Sequence, residues 1–271
     1  MANIISIVSS KGGTGKTTVA LNLAVAFAER GEETLLIDMD PLGAVGLSLA
    51  QNDTEWCGLT EILTRELAVE EAIITTKLAP LSILPRGRLD PLEISLYEEA
   101  LKRGSTLQDI VDPIGDRFRH IIIDTPSGLG TTTRSALKVS DFVLLPLQAE
   151  SLSVRSVTQT LRVLAHLKEQ ENSVLQLLGI LPTMVQLHQD ASFNIMRNIW
   201  EFLDGVLETY IPRSDIFAEA SEKGLPVSLL GGTNSPEALR FEILATELMN
   251  IIQKLGGTIS GTDNRLQRQL V

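Results

Sequence analysis

One stretch near the start of the chain, Ser9-Ser10-Lys11-Gly12-Gly13-Thr14-Gly15-Lys16-Thr17-Thr18, constrains the fold more than any other. It separates an apolar run of strand character, Ile4-Ile5-Ser6-Ile7-Val8, from a segment of helical character that runs from Val19 to Arg30. A glycine-rich turn between a parallel strand and a helix start gathers backbone N–H groups and the positive end of the helix dipole around an anion. Lys16 is placed to reach the β- and γ-phosphates of a nucleotide, and the Thr17 hydroxyl to complete the shell of a Mg²⁺ ion. Gly12, Gly13, Thr14, Gly15 and Thr18 belong to the same cradle. The strict phosphate-loop pattern wants glycine where this chain has Ser10, and the loop carries a second lysine, Lys11. So close in sequence to the cradle, Lys11 can hardly fold back over the same γ-phosphate. A cation supplied to a second molecule is one role open to it, and a plain surface lysine is the other.

Two further strands end in carboxylates. Thr34-Leu35-Leu36-Ile37-Asp38 is a continuous apolar run of the kind a buried parallel strand has, followed by Met39-Asp40-Pro41-Leu42-Gly43. Phe118-Arg119-His120-Ile121-Ile122-Ile123-Asp124 brings three isoleucines to an aspartate, the Walker-B arrangement, in which Asp124 would hold Mg²⁺ through water. The Ser127-Gly128-Leu129-Gly130 loop that follows is suited to respond to a γ-phosphate as a switch. Carboxyl ends of strands are where an open α/β sheet binds its ligands. His120 has no second His or Cys near it and is expected at the surface just before the strand.

Strand and helix patterns alternate throughout the part before the tail, which predicts one doubly wound, mostly parallel sheet with helices on both faces. The expected division is a phosphate-loop ATPase domain at 1–255 and a polar C-terminal tail at 256–271. Helices are expected at Gly58 to Ala68, Pro91 to Lys102 (capped by Asp90) and Thr106 to Val111 (capped by Ser105). Another is expected at Ser235 to Leu255, with Leu239, Ile243, Leu244, Leu248 and Ile251 as its apolar face. Residues 51–117 carry no catalytic pattern. The lone Cys57 rules out an internal disulfide and a multi-cysteine metal site, reads as a small core residue and suits a reducing cytoplasm. No apolar run reaches the ~18 residues of a membrane span, and no signal peptide is expected.

Lys-Gly-Gly-Thr-Gly-Lys-Thr-Thr at 11–18, with its extra lysine, resembles the deviant Walker-A loop of the ParA/MinD family of ATPases. Asp-Met-Asp-Pro at 38–41, Asp-Thr-Pro at 124–126 and Ile-Pro-Arg at 211–213 followed by Glu219-Ala220 extend the resemblance along the chain. The loops depart from the family pattern at Leu42 and Ala44 and after Pro126. The resemblance implies that Lys11 crosses a dimer interface to the partner's phosphates, that Asp40 lies near the attacking water, and that Pro212 begins the lining of the adenine pocket. ATP and Mg²⁺ are the implied cofactors. The implied partners are a second copy on ATP binding and an activating protein, ParB-like or a cargo adaptor. Non-specific DNA is a third, with Arg197, Arg213, Lys223 and Arg240 as candidate contacts. With no helix-turn-helix segment before the first strand, the chain resembles the small, Soj-like ParA type and is expected to behave as one.

Net charge opposes one part of this. With 34 acidic against 23 basic residues the balance is −11, which disfavours a broad electrostatic grip on DNA or anionic lipid but leaves room for a local basic patch. A membrane is not an expected partner, because the tail has only Arg265 and Arg268 against Asp263 and no aromatic residue. Iron–sulfur relatives need more cysteines than one, and tyrosine-kinase relatives more tyrosines than Tyr97 and Tyr210. Ligase-type relatives generally lack a lysine at the position of Lys11. The alternative kept open is a MinD-like or flagellar-placement ATPase that acts at a membrane or cell pole without DNA.

Overall fold

The computed structural model describes residues 2–43, 45–46, 56–103, 106–150, 153–187 and 190–258. The chain opens with β1 (Asn3–Ile7), α1 (Lys16–Glu29) and β2 (Thr34–Asp38), followed by the short helices α2 (Leu59–Leu63) and α3 (Val69–Ala72) and the strands β3 (Ile74–Thr75) and β4 (Leu81–Leu84). A 3₁₀ turn leads into α4 (Ile94–Lys102) and α5 (Thr106–Val111), then β5 (His120–Asp124), α6 (Thr131–Val139), β6 (Phe142–Gln148), α7 (Ser153–Gln170) and β7 (Gln176–Thr183). The last elements are α8 (Asp190–Phe202), α9 (Ile216–Glu222), α10 (Val227–Gly231) and α11 (Pro236–Thr258).

The seven strands form one sheet in the order β3-β4-β2-β5-β1-β6-β7, parallel except for the β3–β4 pair at one edge. Central strands are apolar at consecutive positions because both faces are covered. Ile5, Ile7, Leu36 and Ile122 pack with Leu23 and Phe27 of α1 and Phe241 and Leu244 of α11. Leu35, Ile37, Ile121 and Ile123 point the other way, against Leu59, Tyr97, Leu107 and Ile114. Further along that face Val143, Leu145 and Ile180 meet Leu164 of α7 and Ile199 of α8. In register, Ile7 of β1 and Asp38 of β2 both stand opposite Asp124 of β5, so three strands end together at one edge.

Four local expectations need correction. The helix expected at Gly58 to Ala68 stops at Leu63: Arg65 turns left-handed at φ 63°, and the chain re-enters a helix only at Val69. His120 is the first residue of β5 and fully buried, stacked on Phe27 with ring centroids 4.0 Å apart and bonded to Glu32. The apolar face of α11 is rotated from the expected one. Phe241, Leu244, Ala245 and Leu248 are buried, whereas Leu239 and Ile243 are exposed, because α1 sets which side is covered. Cys57 is half-buried rather than a core residue.

Asp90 does cap its helix start, accepting from Leu92 N at 2.8 Å. Ser105 and residues 259–271 of the tail lie outside the described residues, and α11 itself continues to Thr258, past the expected boundary. Among the described residues no helix is long and apolar enough to cross a membrane.

Candidate nucleotide site

The loop between β1 and α1 is built for close approach. Gly13 and Gly15 take left-handed φ values of 73° and 85°, a region that costs an L side chain strain, and Gly15 caps α1. Val19 N donates to Gly15 O at 2.8 Å, closing the first helical turn. The loop is tied down from two sides. The Thr183 hydroxyl at the end of β7 donates to Thr14 O at 2.9 Å, and Gly128 N donates to Ser9 O at 3.0 Å. The Thr14 hydroxyl is buried and has no partner.

Lys16, the first residue of α1, is buried and donates from Nζ to the Ser127 hydroxyl at 2.9 Å. Burial lowers its pKa, while Asp124 and Asp40 pull the other way. Thr17 Oγ1 donates to Asp124 Oδ2 at 2.7 Å. Asp124 is fully buried and its second oxygen, Oδ1, has no partner. Burial, reinforced by the charge of Asp38, raises its pKa well above the usual carboxylate range. A buried carboxylate oxygen without a partner is costly, and one beside a threonine hydroxyl at the phosphate cradle suits a hydrated divalent cation. The donor set fits Mg²⁺, with Thr17 and, through water, Asp124 as the groups that would hold it.

The turn after β2 is held by its own first carboxylate. Asp38 is fully buried and accepts from Asp40 N and Val45 N, each at 3.0 Å. Burial pushes its pKa up to about 7. Asp38 is therefore a brace of the loop. Asp40 lies at the bend, where Oδ1 accepts from Leu42 N at 3.0 Å and the carbonyl accepts from Gly43 N at 2.7 Å.

The Lys11 side chain pairs with Glu150. Its ammonium is 3.4 Å from Glu150 Oε2, in an ion pair whose side chains are 43 % and 50 % exposed. Pro212 sits where the chain is stitched alongside the end of β7: Ile211 N donates to Pro182 O at 2.9 Å and Arg213 N to Val185 O at 3.0 Å. A pocket opens beside Thr17 and Thr18, walled by Leu21, Asn22, Phe217, Ala220 and Val227, and Pro212 is not in that wall.

The structure thus gathers Gly12, Gly13, Thr14, Gly15, Lys16, Thr17, Asp40 and Asp124 at one sheet edge and pairs Lys11 with Glu150. The candidate DNA contacts are not gathered into one cluster of unengaged cations. Arg197 pairs with Glu201 at 3.8 Å and Lys223 with Glu219 at 2.7 Å. Arg240 lies 4.4 Å over the Tyr210 ring and donates to its hydroxyl at 3.1 Å, and Arg213 is exposed. Ser127, which holds the Lys16 ammonium, belongs to the loop that the sequence marks as a candidate switch. Thr183 and Glu150 are the residues that the sequence does not single out, and neither carries a signal of its own.

A parallel sheet with a glycine-rich cradle, Lys16, Thr17 and a strand-tip Asp124 defines a P-loop nucleotide-binding protein, and Lys11 gives it the deviant form of that loop. Residues 2–177 match the AAA domain family. The chain is 32 % identical over 233 residues to the sporulation initiation inhibitor protein Soj of Bacillus subtilis, covering 84 % of this chain and 91 % of that one. It is also 32 % identical to the chromosome partitioning protein ParA of Caulobacter vibrioides, covering 83 % and 86 %. Among solved structures, cobyrinic acid a,c-diamide synthase of Mycobacterium smegmatis with bound ADP and magnesium superposes with a TM-score of 0.77 at 26 % identity, covering 93 % and 96 %. The cell division ATPase MinD of Pyrococcus furiosus superposes with a TM-score of 0.73 at 31 % identity, covering 93 % and 100 %. The chain belongs to the ParA/MinD family of P-loop ATPases.

Proposed function

We propose that the protein is a Mg²⁺-dependent ATPase switch of the small ParA type, which dimerises on ATP and positions a DNA segment or a cellular cargo. One observation carries this reading. Lys16, Thr17 and Asp124 meet at one cradle with an unpartnered carboxylate oxygen, Asp40 is near enough for its charge to act on Lys16, and Lys11 of the same loop is paired with Glu150 instead. Lys16 would bind the β/γ-phosphates, giving up Ser127 for them. Thr17 and Asp124 would hold Mg²⁺, which when bound neutralises phosphate charge. Asp40 would orient the attacking water. Phosphoryl transfer is mostly positioning and charge neutralisation, so a lysine that arrives only with a second copy makes hydrolysis conditional on assembly. Turnover would be slow and stimulated by a protein partner, with an ATP-bound dimer and an ADP-bound or free monomer as the two states. A small-molecule ligase is disfavoured by Lys11 and by the likeness to partitioning proteins.

A second reading, a MinD-like positioning ATPase that does not bind DNA, is favoured by the pairings of Arg197, Lys223 and Arg240 and by the net charge of −11. The experiment that tests the first and separates the two uses Asp40→Ala with ATP and Mg²⁺. Loss of hydrolysis with retained binding should leave a long-lived dimer in sedimentation, and that dimer is then titrated with DNA at low and moderate salt. Salt-sensitive, sequence-independent binding supports the ParA-type reading. A dimer that ignores DNA even at low salt moves the protein to the second reading, and no ATP-dependent dimer at all refutes both.

A further inference from the structure

The region 51–117 has no catalytic pattern in sequence, yet two of its side chains reach the turn that carries Asp40. Arg86 follows β4. Its Nη1 donates to Pro41 O at 2.6 Å and its Nε to Gly87 O at 3.0 Å. Tyr97 of α4 is buried and donates from its hydroxyl to Met39 O at 3.3 Å. The carbonyls on either side of Asp40 are therefore both held by side chains from outside the loop. Gly43 closes the same turn at φ 68°, and a Cβ there would lie 3.2 Å from Arg86 Nε, so the guanidinium is packed directly under the turn's end.

Arg86 has a rigid mount. Leu59 N donates to Pro85 O, and Thr60 N and Oγ1 both donate to Arg86 O, all at 2.8 Å. Glu61, buried, accepts from Gly58 N at 2.6 Å and from Arg88 N at 3.0 Å, which locks the 85–88 turn to the start of α2. Gly58 is required by this close approach, since a Cβ on it would fall 2.0 Å from Pro85 O. The arrangement transmits position from a packed helix through a forked cation to a backbone carbonyl one residue from Asp40. A planar fork that donates to two carbonyls at once fixes direction as well as distance.

We propose that Arg86 and Tyr97 are positioning residues for hydrolysis, which hold the Met39–Gly43 backbone so that the Asp40 carboxylate meets the attacking water. This rests on the reading of Asp40 given above. Misplacement of a catalytic group by about 1 Å can cost roughly 10²-fold in rate. Arg86→Ala is accordingly expected to lower single-turnover ATP hydrolysis by about 10- to 100-fold with ADP affinity changed by less than about twofold. Arg86→Lys, which keeps the charge but not the fork, should fall between the two and serves in its place if the alanine variant does not fold. Tyr97→Phe keeps the ring packing and should lose about two- to fivefold, the scale of one neutral hydrogen bond.

The deciding measurement is a double-mutant cycle with Asp40→Ala, read as hydrolysis per folded molecule. Because Arg86 acts through Asp40, its loss should add little in the Asp40→Ala background. An Arg86 effect of equal size in both backgrounds, unchanged hydrolysis in all three single variants, or a fall in ADP affinity and melting temperature with hydrolysis per folded molecule intact would overturn the proposal. Normal hydrolysis by Asp40→Ala alone would instead refute the role of Asp40, and that outcome is read independently of Arg86.

Discussion

Asp124→Asn should make the metal-free protein more stable and the Mg²⁺-nucleotide complex weaker. In the native site Asp124 is fully buried, one oxygen takes the Thr17 hydroxyl at 2.7 Å, and the other has no partner. Across the sheet it stands in register with Asp38, whose charge adds to the penalty of burial. Asparagine keeps an acceptor for Thr17, removes the charge and replaces the orphaned oxygen with an amide. A buried unsatisfied group costs about 1–3 kcal/mol and more when charged, so exchanging an unpaired charge for a neutral amide should gain on the order of 1–3 kcal/mol, about 2–10 °C in melting temperature for a chain of this size. With ligand the sign reverses. A ligand at 100 times its dissociation constant stabilises the native state by about 2.7 kcal/mol, and the part of that gain due to Mg²⁺ should vanish in the variant. The assay is thermal unfolding by circular dichroism near neutral pH, in EDTA, in ADP with EDTA, and in ADP with Mg²⁺. A variant less stable than wild type in EDTA, or one that gains as much from Mg²⁺ as wild type does, would refute the assignment of Asp124 as the buried metal-side carboxylate.

The same stabilisation should depend on pH. A carboxyl whose folded pKa is raised leaves wild-type stability intact below its unfolded value, near 3.8 for Asp124, and erodes it as pH rises toward the folded value. The advantage of Asp124→Asn should therefore grow from pH 4 upward by as much as about 1.4 kcal/mol per pH unit, and an advantage that shrinks as pH rises would contradict the burial argument. Lys11→Ala should bind nucleotide as a monomer, since Lys11 is engaged with Glu150, but lose ATP-dependent dimerisation and stimulated turnover. Sedimentation with a non-hydrolysable ATP analogue reads this directly, and a normal dimer with normal turnover would reduce Lys11 to a surface lysine.

The cradle was legible in sequence because each of its parts is local: glycines at fixed spacing, and apolar strands that end on Asp38 and Asp124. Where the deciding contact comes from a distant element, sequence reading failed. His120 looked like a surface residue because nothing near it in sequence reveals that Phe27 of α1 stacks on its ring. The face of α11 was misplaced because Leu239, Ile243 and Phe241 satisfy helical spacing in two rotations, and only α1 chooses between them. The helix after Gly58 stops short of its apolar pattern because Arg65 turns left-handed and Glu66 N and Leu67 N both donate back to Glu61 O, a turn that periodicity does not register. Arg86 reaches a carbonyl 45 residues earlier in the chain, which no motif announces.

The pairings of the candidate DNA contacts weigh less against DNA than their number suggests. Arg197–Glu201 and Lys223–Glu219 are exposed i,i+4 pairs, the kind worth only about 0.3–0.5 kcal/mol, so a phosphate can displace either glutamate at small cost. Arg240 is different. It is half-buried, rests on the Tyr210 ring and donates to the Tyr210 hydroxyl, so recruiting it would break a packed contact. Of the four candidates Arg240 is therefore the least suited to contact DNA. The net charge of −11 acts on a DNA-binding face chiefly at long range, where it is screened beyond about 8 Å at physiological salt. What separates the ParA-type from the MinD-like reading is thus whether the proposed ATP dimer would bring two copies of the remaining candidates to one surface, and overall composition does not decide it.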